Sequence, residues 1–260
     1  MINQIQNYAH PRDVLRLIRV EDYGTFVQLI IGFFLAGGQD WLYLASALTI
    51  LAPCVYGGLY ALNDVHDAEA DRLHLLKRTR PIAAGRINSE SASLLAVGLI
   101  SFGVGNALFF DFKVLVLALL FVAINLAYTF KFKTVPYLEI ILNMITHPLR
   151  FAAGLWLAGS WVHWPLLTVW ILATFAITTL KRIKEMRESG ASARPVLKHY
   201  DEITLKKLIT ASLILILGIW PYTRNLDFVL SGAWFVLTLA VVVGYFRSPF
   251  LRRLEEHLWR

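Results

Sequence analysis

Residues 41–71 read WLYLASALTILAPCVYGGLYALNDVHDAEAD and join a long apolar run to a cluster of acidic side chains. The apolar part, 41–62, has the length of about 20 residues that a helix needs to cross a bilayer. On a helix, Asp64, Asp67 and Asp71 stand at i, i+3 and i+7 and share one face, and Asn63 lies one turn before Asp67. The stretch predicts a membrane helix that ends in three carboxylates.

The composition of the whole chain predicts an integral membrane protein. Of its 260 residues, 57% are hydrophobic, and the mean hydropathy of +0.57 is far above that of a soluble domain. About eight apolar windows are long enough to cross a bilayer, at 23–38 (extended back toward Val14), 41–62, 90–110, 113–130, 137–160, 164–182, 203–222 and 227–246. We expect an all-α integral membrane bundle of about eight to nine transmembrane helices, with residues 1–260 forming a single domain.

Lysine and arginine residues concentrate on alternate connections between these windows. The basic segments are the N-terminal region, 72–86, Lys131 with Lys133, 181–207 and 247–260. By the positive-inside rule, both termini and the basic loops face the cytoplasm. The net charge of +7 suits anionic lipid headgroups and phosphorylated substrates. We expect no nucleic-acid partner, because topology spreads the basic residues along the chain instead of gathering them in one domain.

The acidic face of 63–71 has a chemical interpretation. Like charges on one helix face repel each other unless something cationic lies between them. Oxygen ligands at this density suit Mg²⁺, which proteins usually hold with a few carboxylates plus substrate phosphates. Arg72, Lys77, Arg78 and Arg80 follow at once and would neutralise the remaining phosphate charge. The pattern predicts Mg²⁺ and a diphosphate at the membrane edge; the alternative is a solvated acidic face at a helix end.

Other kinds of site find little support. Cys54 is the single cysteine, which excludes an intramolecular disulfide and a thiolate metal site, and no histidine pair has the spacing of zinc ligands. Residues 251–259 are amphipathic and too short to span, so we expect them to lie on the headgroups.

Charged residues also occur inside the fifth span and at the end of the sixth. Glu139 and Arg150 are eleven residues apart, about three helical turns, and therefore share a face. An arginine inside a span faces a polar cavity or a partner, so binding and structural pairing are both open for Arg150. Lys181 and Glu185 form an i,i+4 pair with Arg182 between them, for which a salt-bridged helix end is the alternative to a binding role.

On these residues the chain resembles the UbiA superfamily of intramembrane prenyltransferases. Residues 63–71 match its N-D-x-x-D-x-x-x-D signature, 77–85 look like its Lys-x-x-Arg-Pro-x-x-x-Gly run, and 128–133 are similar to its Tyr-Ser-x-x-Leu-Lys. The resemblance implies a helical bundle with a cavity in which Mg²⁺ holds the diphosphate of an activated donor. It implies metal or diphosphate roles for Asn63, Asp64, Asp67 and Asp71. On the phosphate side it implies roles for Lys77, Arg80, Tyr128 and Lys133. Asp64, Asp67, Lys77 and Arg80 are the residues it marks as catalytic.

At the end of the sixth span, most members of the superfamily carry a second aspartate cluster, which this chain lacks. It is similar there to the polyprenyl-phosphate phosphoribosyltransferase branch. That similarity implies substrate-binding roles for Glu139, Arg150, Lys181, Arg182, Glu185 and Arg194. The chain departs from the branch in lacking a Trp-x-Lys-Asn pattern near its N-terminus and from the superfamily in lacking a ninth span.

We therefore expect a Mg²⁺-dependent transferase in a prokaryotic cell membrane, with its active site facing the cytoplasm. In the favoured version it transfers phosphoribosyl from soluble phosphoribosyl pyrophosphate to an isoprenoid lipid, a polyprenyl phosphate. In the alternative version the donor is a prenyl diphosphate and the acceptor an aromatic or lipid molecule. A transporter of an anionic solute is a more remote alternative; inverted repeats or broken spans in corresponding halves would favour it, and the sequence shows neither.

Overall fold

A computed structural model describes residues 10–73, 77–188 and 195–247. Its α-helices are α1 (Pro11–Leu17), α2 (Val27–Leu35), α3 (Trp41–Thr49), α4 (Gly57–Leu73), α5 (Ser89–Phe110), α6 (Phe112–Phe130), α7 (Leu138–Ala158), α8 (Trp164–Glu188), α9 (Glu202–Ile219) and α10 (Asn225–Arg247). The π-helical segment Ile50–Tyr56 joins α3 to α4. Short 3₁₀ turns lie at Val20–Phe26, Lys77–Thr79, Phe132–Thr134, Pro195–His199 and Trp220–Tyr222. The predicted all-helical fold is confirmed. The amphipathic segment predicted at 251–259 lies outside the described residues.

Seven helices within the described ranges are long and apolar enough to cross a membrane. They are Trp41–Leu73, Ser89–Phe110, Phe112–Phe130, Leu138–Ala158, Trp164–Arg187, Glu202–Tyr222 and Asn225–Phe246. The prediction of a continuous span at 23–38, extended back toward Val14, is wrong. The backbone leaves the helical region at Arg19, whose φ of 52° is left-handed, and a 3₁₀ turn then precedes the nine residues of α2. Hydropathy reports the apolar length of a segment and is blind to such a break.

This interrupted first segment nevertheless runs from one end of the bundle to the other. At one end, Arg19 contacts Asp64 on the acidic face of α4. At the opposite end, Asp40 caps α3, and the Tyr43 hydroxyl of α3 donates a 3.0 Å hydrogen bond to Asp111 between α5 and α6. The basic loops lie at the first end, and the short connections with few positive charges lie at the second.

Helix ends are fixed by side chains that accept hydrogen bonds from otherwise unpaired backbone amides. Asp40 accepts from the Tyr43 amide at 2.9 Å, Asn88 from the Ser91 amide at 2.6 Å and Asp201 from the Thr204 amide at 2.9 Å. Asp111 accepts from two amides at the start of α6, at 2.8 and 3.1 Å. These caps explain why the helices begin where the apolar windows do.

Close approach of two backbones holds α2 against α7. A Cβ atom added to Gly154 would lie 2.1 Å from the carbonyl oxygen of Leu29, and one added to Gly32 would lie 2.3 Å from the carbonyl oxygen of Phe151. Glycine is therefore required on both sides of the contact, as in other tightly packed membrane helices. The contact holds the short α2 against the helix that carries Glu139 and Arg150.

We expect Gly154→Ala to destabilise the protein by about 1–3 kcal/mol, because the added methyl group meets backbone atoms that cannot rotate away. The matched control is Gly105→Ala in α5, where the new Cβ would have nothing within 4 Å. Thermal unfolding of both variants in detergent checks this. A melting temperature for Gly154→Ala equal to that of Gly105→Ala would contradict the packing described.

Candidate active site

The acidic face of α4 lies at the basic end of the bundle. The helix continues through Leu73, so the three carboxylates lie on the same continuous helix that crosses the membrane. Asp64 and Asp71 are 2% and 3% exposed, and Asp67 is half-buried. Arg80, from the loop after α4, bridges the two buried carboxylates, because its Nη1 lies 3.0 Å from Asp64 and 2.7 Å from Asp71. Two of the predicted carboxylates are therefore neutralised by one guanidinium group.

A second arginine reaches Asp64 from the N-terminal segment. Arg19 Nη2 donates to Asp64 Oδ1 at 2.5 Å, and the guanidinium lies over the ring of Tyr60, 5.0 Å from its centroid. Tyr60 is four residues before Asp64 and shares its face of α4. Asp64 is therefore held by two arginines from separate parts of the chain.

The connection between α6 and α7 supplies the partner of Asp67. Lys133 Nζ donates to Asp67 at 2.5 Å, and the Asn63 amide lies 3.4 Å from the same carboxylate. The Thr129 hydroxyl at the end of α6 donates to Asn63 at 3.2 Å. On the other side of the face, Lys77 Nζ is 3.9 Å from Asp71. The structure thus brings together the predicted site residues Asn63, Asp64, Asp67, Asp71, Lys77, Arg80 and Lys133. Arg72 and Arg78, which were also expected to neutralise phosphate charge, are exposed.

A second charged cluster connects α7 and α8. Arg182 Nε and Nη2 donate to the two oxygens of Glu139 at 2.6 and 2.7 Å, and Nη1 donates to Glu185 at 3.0 Å. The Tyr200 hydroxyl donates to Glu139 at 2.8 Å and accepts a hydrogen bond from the amide of Tyr137. Burial, and then the Glu139 charge, raise the pKa of Tyr200 well above its ordinary value, so the phenol keeps the proton that it donates.

This cluster contains three predicted substrate-binding residues. The Arg182 side chain is 1% exposed and Glu139 is 0% exposed. All three guanidinium nitrogens of Arg182 donate to carboxylates in this structure, and its contact with a substrate phosphate stays a prediction. Glu139 lies on the neighbouring helix and faces Arg182. Glu185 holds Nη1 of the same guanidinium, and its predicted role in substrate binding also stays a prediction.

The other predicted binding residues lie at different depths. Lys181 is exposed at the end of α8, and Tyr128 is half-buried at the end of α6, close enough to Arg182 to interact electrostatically. Arg150 is buried farther along α7, where its guanidinium stacks on Phe26 and Tyr56 with centroid distances of 4.8 and 4.4 Å. Arg194 lies outside the described residues.

The acidic face of α4 carries oxygen donors of the kind that Mg²⁺ prefers. In the ranges that the structure describes, no three His, Cys, Asp or Glu side chains converge as a complete metal site, since cations hold the carboxylates apart. Mg²⁺ usually binds one or two carboxylates and takes its other ligands from water and phosphate. The donors of Asn63, Asp64, Asp67 and Asp71 therefore fit Mg²⁺ that arrives with a diphosphate, whose oxygens can in turn engage Arg19, Arg80 and Lys133.

Two contributors were missed by the sequence analysis. Arg19 lies in the basic N-terminal region, which was used only for membrane topology, and Thr129 lies in the motif at 128–133 but was given no role. The sequence signal for Arg19 is its position. Arg19 precedes the first apolar window and the acidic cluster follows the second, so both lie at the same end of the bundle. The signal for Thr129 is its place one residue after Tyr128, within the motif itself.

Comparisons with known proteins agree with this arrangement. The model of the UbiA prenyltransferase family matches residues 25–257, which confirms the resemblance predicted from residues 63–133. The decaprenyl-phosphate phosphoribosyltransferase of Mycobacterium tuberculosis is 31% identical over 221 residues, which cover 79% of this chain and 70% of that protein. Uncharacterized protein y4nM of Sinorhizobium fredii is 32% identical over 155 residues, covering 58% of this chain and 30% of that protein. The match thus spans less than a third of y4nM.

The fold is also that of a solved structure. A UbiA homolog from Archaeoglobus fulgidus, bound to GPP and Mg²⁺, superposes with a TM-score of 0.74 at 20% identity. The superposition covers 87% of this chain and 84% of the homolog. At this level of identity the likeness concerns the arrangement of helices.

The buried pair of Glu139 and Arg182 makes a prediction about stability. Removing one partner leaves an uncompensated buried charge, which typically costs about 3–5 kcal/mol. We expect Arg182→Met to lower the melting temperature strongly, and the double variant Glu139→Gln with Arg182→Met to recover much of the loss. Thermal unfolding in detergent measures both. Additive losses in the double variant would show that the two side chains do not act as a pair.

Proposed function

The chain belongs to the UbiA prenyltransferase family, and we propose that it transfers the phosphoribosyl group of phosphoribosyl pyrophosphate to a polyprenyl phosphate. The observation that carries this proposal is the acidic face of α4 with a cation against each of its carboxylates, at the end of a membrane span. The similarity to a decaprenyl-phosphate phosphoribosyltransferase, which extends over 70% of that protein, supports the choice of donor and acceptor.

The charge pattern suits a diphosphate donor. Asn63, Asp64, Asp67 and Asp71 would hold Mg²⁺ together with the diphosphate, and the bound metal would withdraw charge from the leaving group. Arg80, now shared between Asp64 and Asp71 at 3.0 and 2.7 Å, would turn to the phosphate oxygens. Lys77 and Lys133 stand beside the same carboxylates, where they would stabilise the negative charge that develops as the anomeric C–O bond loosens.

The acceptor requires little chemical activation. A phosphate monoester is already anionic, so its oxygen can attack without a strong general base. We propose that Tyr128 and Lys181 line the acceptor side. Glu139, Arg182 and Glu185 would act indirectly, because their buried network fixes the ends of α7 and α8 beside Tyr128.

The alternative donor is a prenyl diphosphate, and the solved homolog bound to GPP and Mg²⁺ favours it. The same acidic face and cations would hold its diphosphate, and an allylic cation would then be captured by an aromatic or lipid acceptor. The end of α8 favours the first donor, because Arg182 and its carboxylate partners stand where a second aspartate cluster would bind another metal.

We further propose that the acidic face lies on the cytoplasmic side of a prokaryotic cell membrane, because the basic loops share its end of the bundle. In a Cys54→Ala background, Lys198→Cys should resist a membrane-impermeant maleimide added to intact cells, whereas Val162→Cys should react. Both positions are exposed. Labelling of Lys198→Cys with protection of Val162→Cys would reverse the orientation.

The donor can be identified with two labels. Purified protein receives Mg²⁺, a polyprenyl phosphate and either ¹⁴C-phosphoribosyl pyrophosphate or a ¹⁴C-prenyl diphosphate. We expect label from phosphoribosyl pyrophosphate to enter the lipid product, with release of pyrophosphate. Label entering product only from the prenyl diphosphate would overturn the proposed donor and leave the family assignment intact.

The acidic face provides the matched variants for this assay. Asp64→Asn and Asp67→Asn should lower turnover by at least about 100-fold, as removal of a single group that stabilises transition-state charge does in other enzymes. Glu69→Gln is the control, because Glu69 is exposed on the same helix between Asp67 and Asp71 and should retain activity. Equal activity in all three variants would exclude a role for the acidic face.

A further inference from the structure

Arg150 is a buried cation without an acidic partner in the ranges that the structure describes. It is 2% exposed within α7, and none of the carboxylates in these ranges pairs with it. Among the described residues, its Nε has no hydrogen-bond partner, and Nη1 has only the Nδ1 of His147 at 3.5 Å. Arg182, the other fully buried arginine of these ranges, donates from all three nitrogens to carboxylates. The two arginines therefore differ in the one respect that governs the stability of a buried charge.

The surroundings of Arg150 stabilise it only in part. The rings of Phe26 and Tyr56 lie 4.8 and 4.4 Å from the guanidinium, which gives two cation–π contacts. An unpaired charge inside a membrane span is still costly and usually marks a substrate or ion pathway. The Arg150 Nε, a buried donor without a partner among the described residues, indicates that an acceptor group binds at this place.

The position of Arg150 relates it to the acidic face of α4. Tyr56 and Tyr60 precede Asp64 by eight and four residues, and their rings are 5.8 Å apart. Arg19 stacks on Tyr60 and Arg150 stacks on Tyr56. The two cations therefore lie along the helix face that carries Tyr56, Tyr60 and Asp64, with Arg150 deeper in the bundle than Arg19. At a helical rise of 1.5 Å per residue, the level of Tyr56 is roughly 12 Å deeper than that of Asp64.

We propose that Arg150 binds the phosphate of the lipid acceptor, a metal-free phosphate monoester on an isoprenoid tail. This inference rests on the proposed function for the identity of the acceptor. Arg150 lacks carboxylate neighbours within the described part of the chain, so its site favours a bare phosphate, whereas the acidic face of α4 suits a phosphate that carries a metal. Phe26 and Tyr56 supply apolar surface for the first part of the tail.

The two anion sites have the arrangement that in-line substitution requires. An oxygen of the acceptor phosphate forms the new bond to the anomeric carbon while the bond from that carbon to the diphosphate breaks. The bonding electrons leave with the diphosphate, which departs as pyrophosphate, and no proton has to move. Nucleophile and leaving group must lie on opposite sides of the carbon, and Arg150 and Asp64 lie at the inner and outer ends of one polar face.

Binding can be measured without the reaction. Full-length protein in nanodiscs, with EDTA and without donor, receives ³²P-labelled farnesyl phosphate; farnesol and inorganic phosphate serve as competitors. We expect Arg150→Gln to weaken farnesyl phosphate binding by about 10- to 100-fold, the loss of one or two charge-assisted hydrogen bonds, and Arg150→Lys to recover part of it. Arg187→Gln is the control, because Arg187 is exposed and pairs with Glu202.

A purely structural role is excluded by the ligand-free melting temperature. Arg150→Gln should melt at or above the wild-type temperature, because it removes an unpaired buried charge, whereas Arg182→Met should melt well below it. Binding of phosphoribosyl pyrophosphate with Mg²⁺ should be unchanged in Arg150→Gln. A large loss of stability in Arg150→Gln, or undiminished binding of farnesyl phosphate, would overturn the proposal.

The remaining outcomes separate the lipid from other anions and this site from the reaction. Inorganic phosphate that competes as well as the lipid would show a site for free anions and contradict a lipid site, as would farnesol competing equally. If binding depends on Arg150 but phosphoribosyl label never enters lipid, the proposed function fails and the lipid phosphate site stands. If label enters lipid and Arg150→Gln binds normally, the site fails and the function stands.

Discussion

Neutralisation of the carboxylates on α4 is the constraint on which the active-site end of the bundle depends. Asp64 and Asp71 lie two and nine residues beyond the apolar run 41–62 and are almost fully buried, so an unpaired charge there would be prohibitive. The cations that neutralise this face come from three places. Arg19 before α2 pairs with Asp64, Arg80 after α4 pairs with Asp71, and Lys133 between α6 and α7 pairs with Asp67. The ion pairs therefore fix three loops against one helix end, and a site for a highly charged ligand follows from that assembly.

The same electrostatic rule separates the two buried arginines. Arg182 lies between Glu139 and Glu185, so its charge is compensated within the protein and contributes to the joint between α7 and α8. Arg150 has aromatic faces and no acid in the described ranges, so its charge is compensated only by what binds there. Together with the α4 face, this gives the bundle a metal-compatible anion site near its edge and a metal-free anion site inside.

The sequence predicted the first of these sites better than the second. Helical spacing places Asp64, Asp67 and Asp71 on one face, and their proximity to Arg80 follows from a short loop. Spacing does not reveal which side chain of a neighbouring helix faces a given residue. Arg182 was for that reason predicted to bind phosphate, although Glu139, 43 residues earlier, occupies its donors. Arg19 was missed in the same way, because its partner Asp64 is 45 residues away. The first span was predicted as continuous because hydropathy carries no information on the left-handed backbone at Arg19.

The central claim is that one polar face holds two separate anions, of which only the outer one is bound through metal. The most direct test replaces Mg²⁺ by paramagnetic Mn²⁺ and records ³¹P spectra of the protein with bound pyrophosphate and farnesyl phosphate. A phosphate that coordinates Mn²⁺ is broadened most, and the broadening falls steeply with distance for a phosphate held by Arg150 outside the coordination shell. The account predicts that, as Mn²⁺ is titrated in, the pyrophosphate resonances disappear well before the farnesyl phosphate resonance does. Loss of both resonances to the same degree would contradict it.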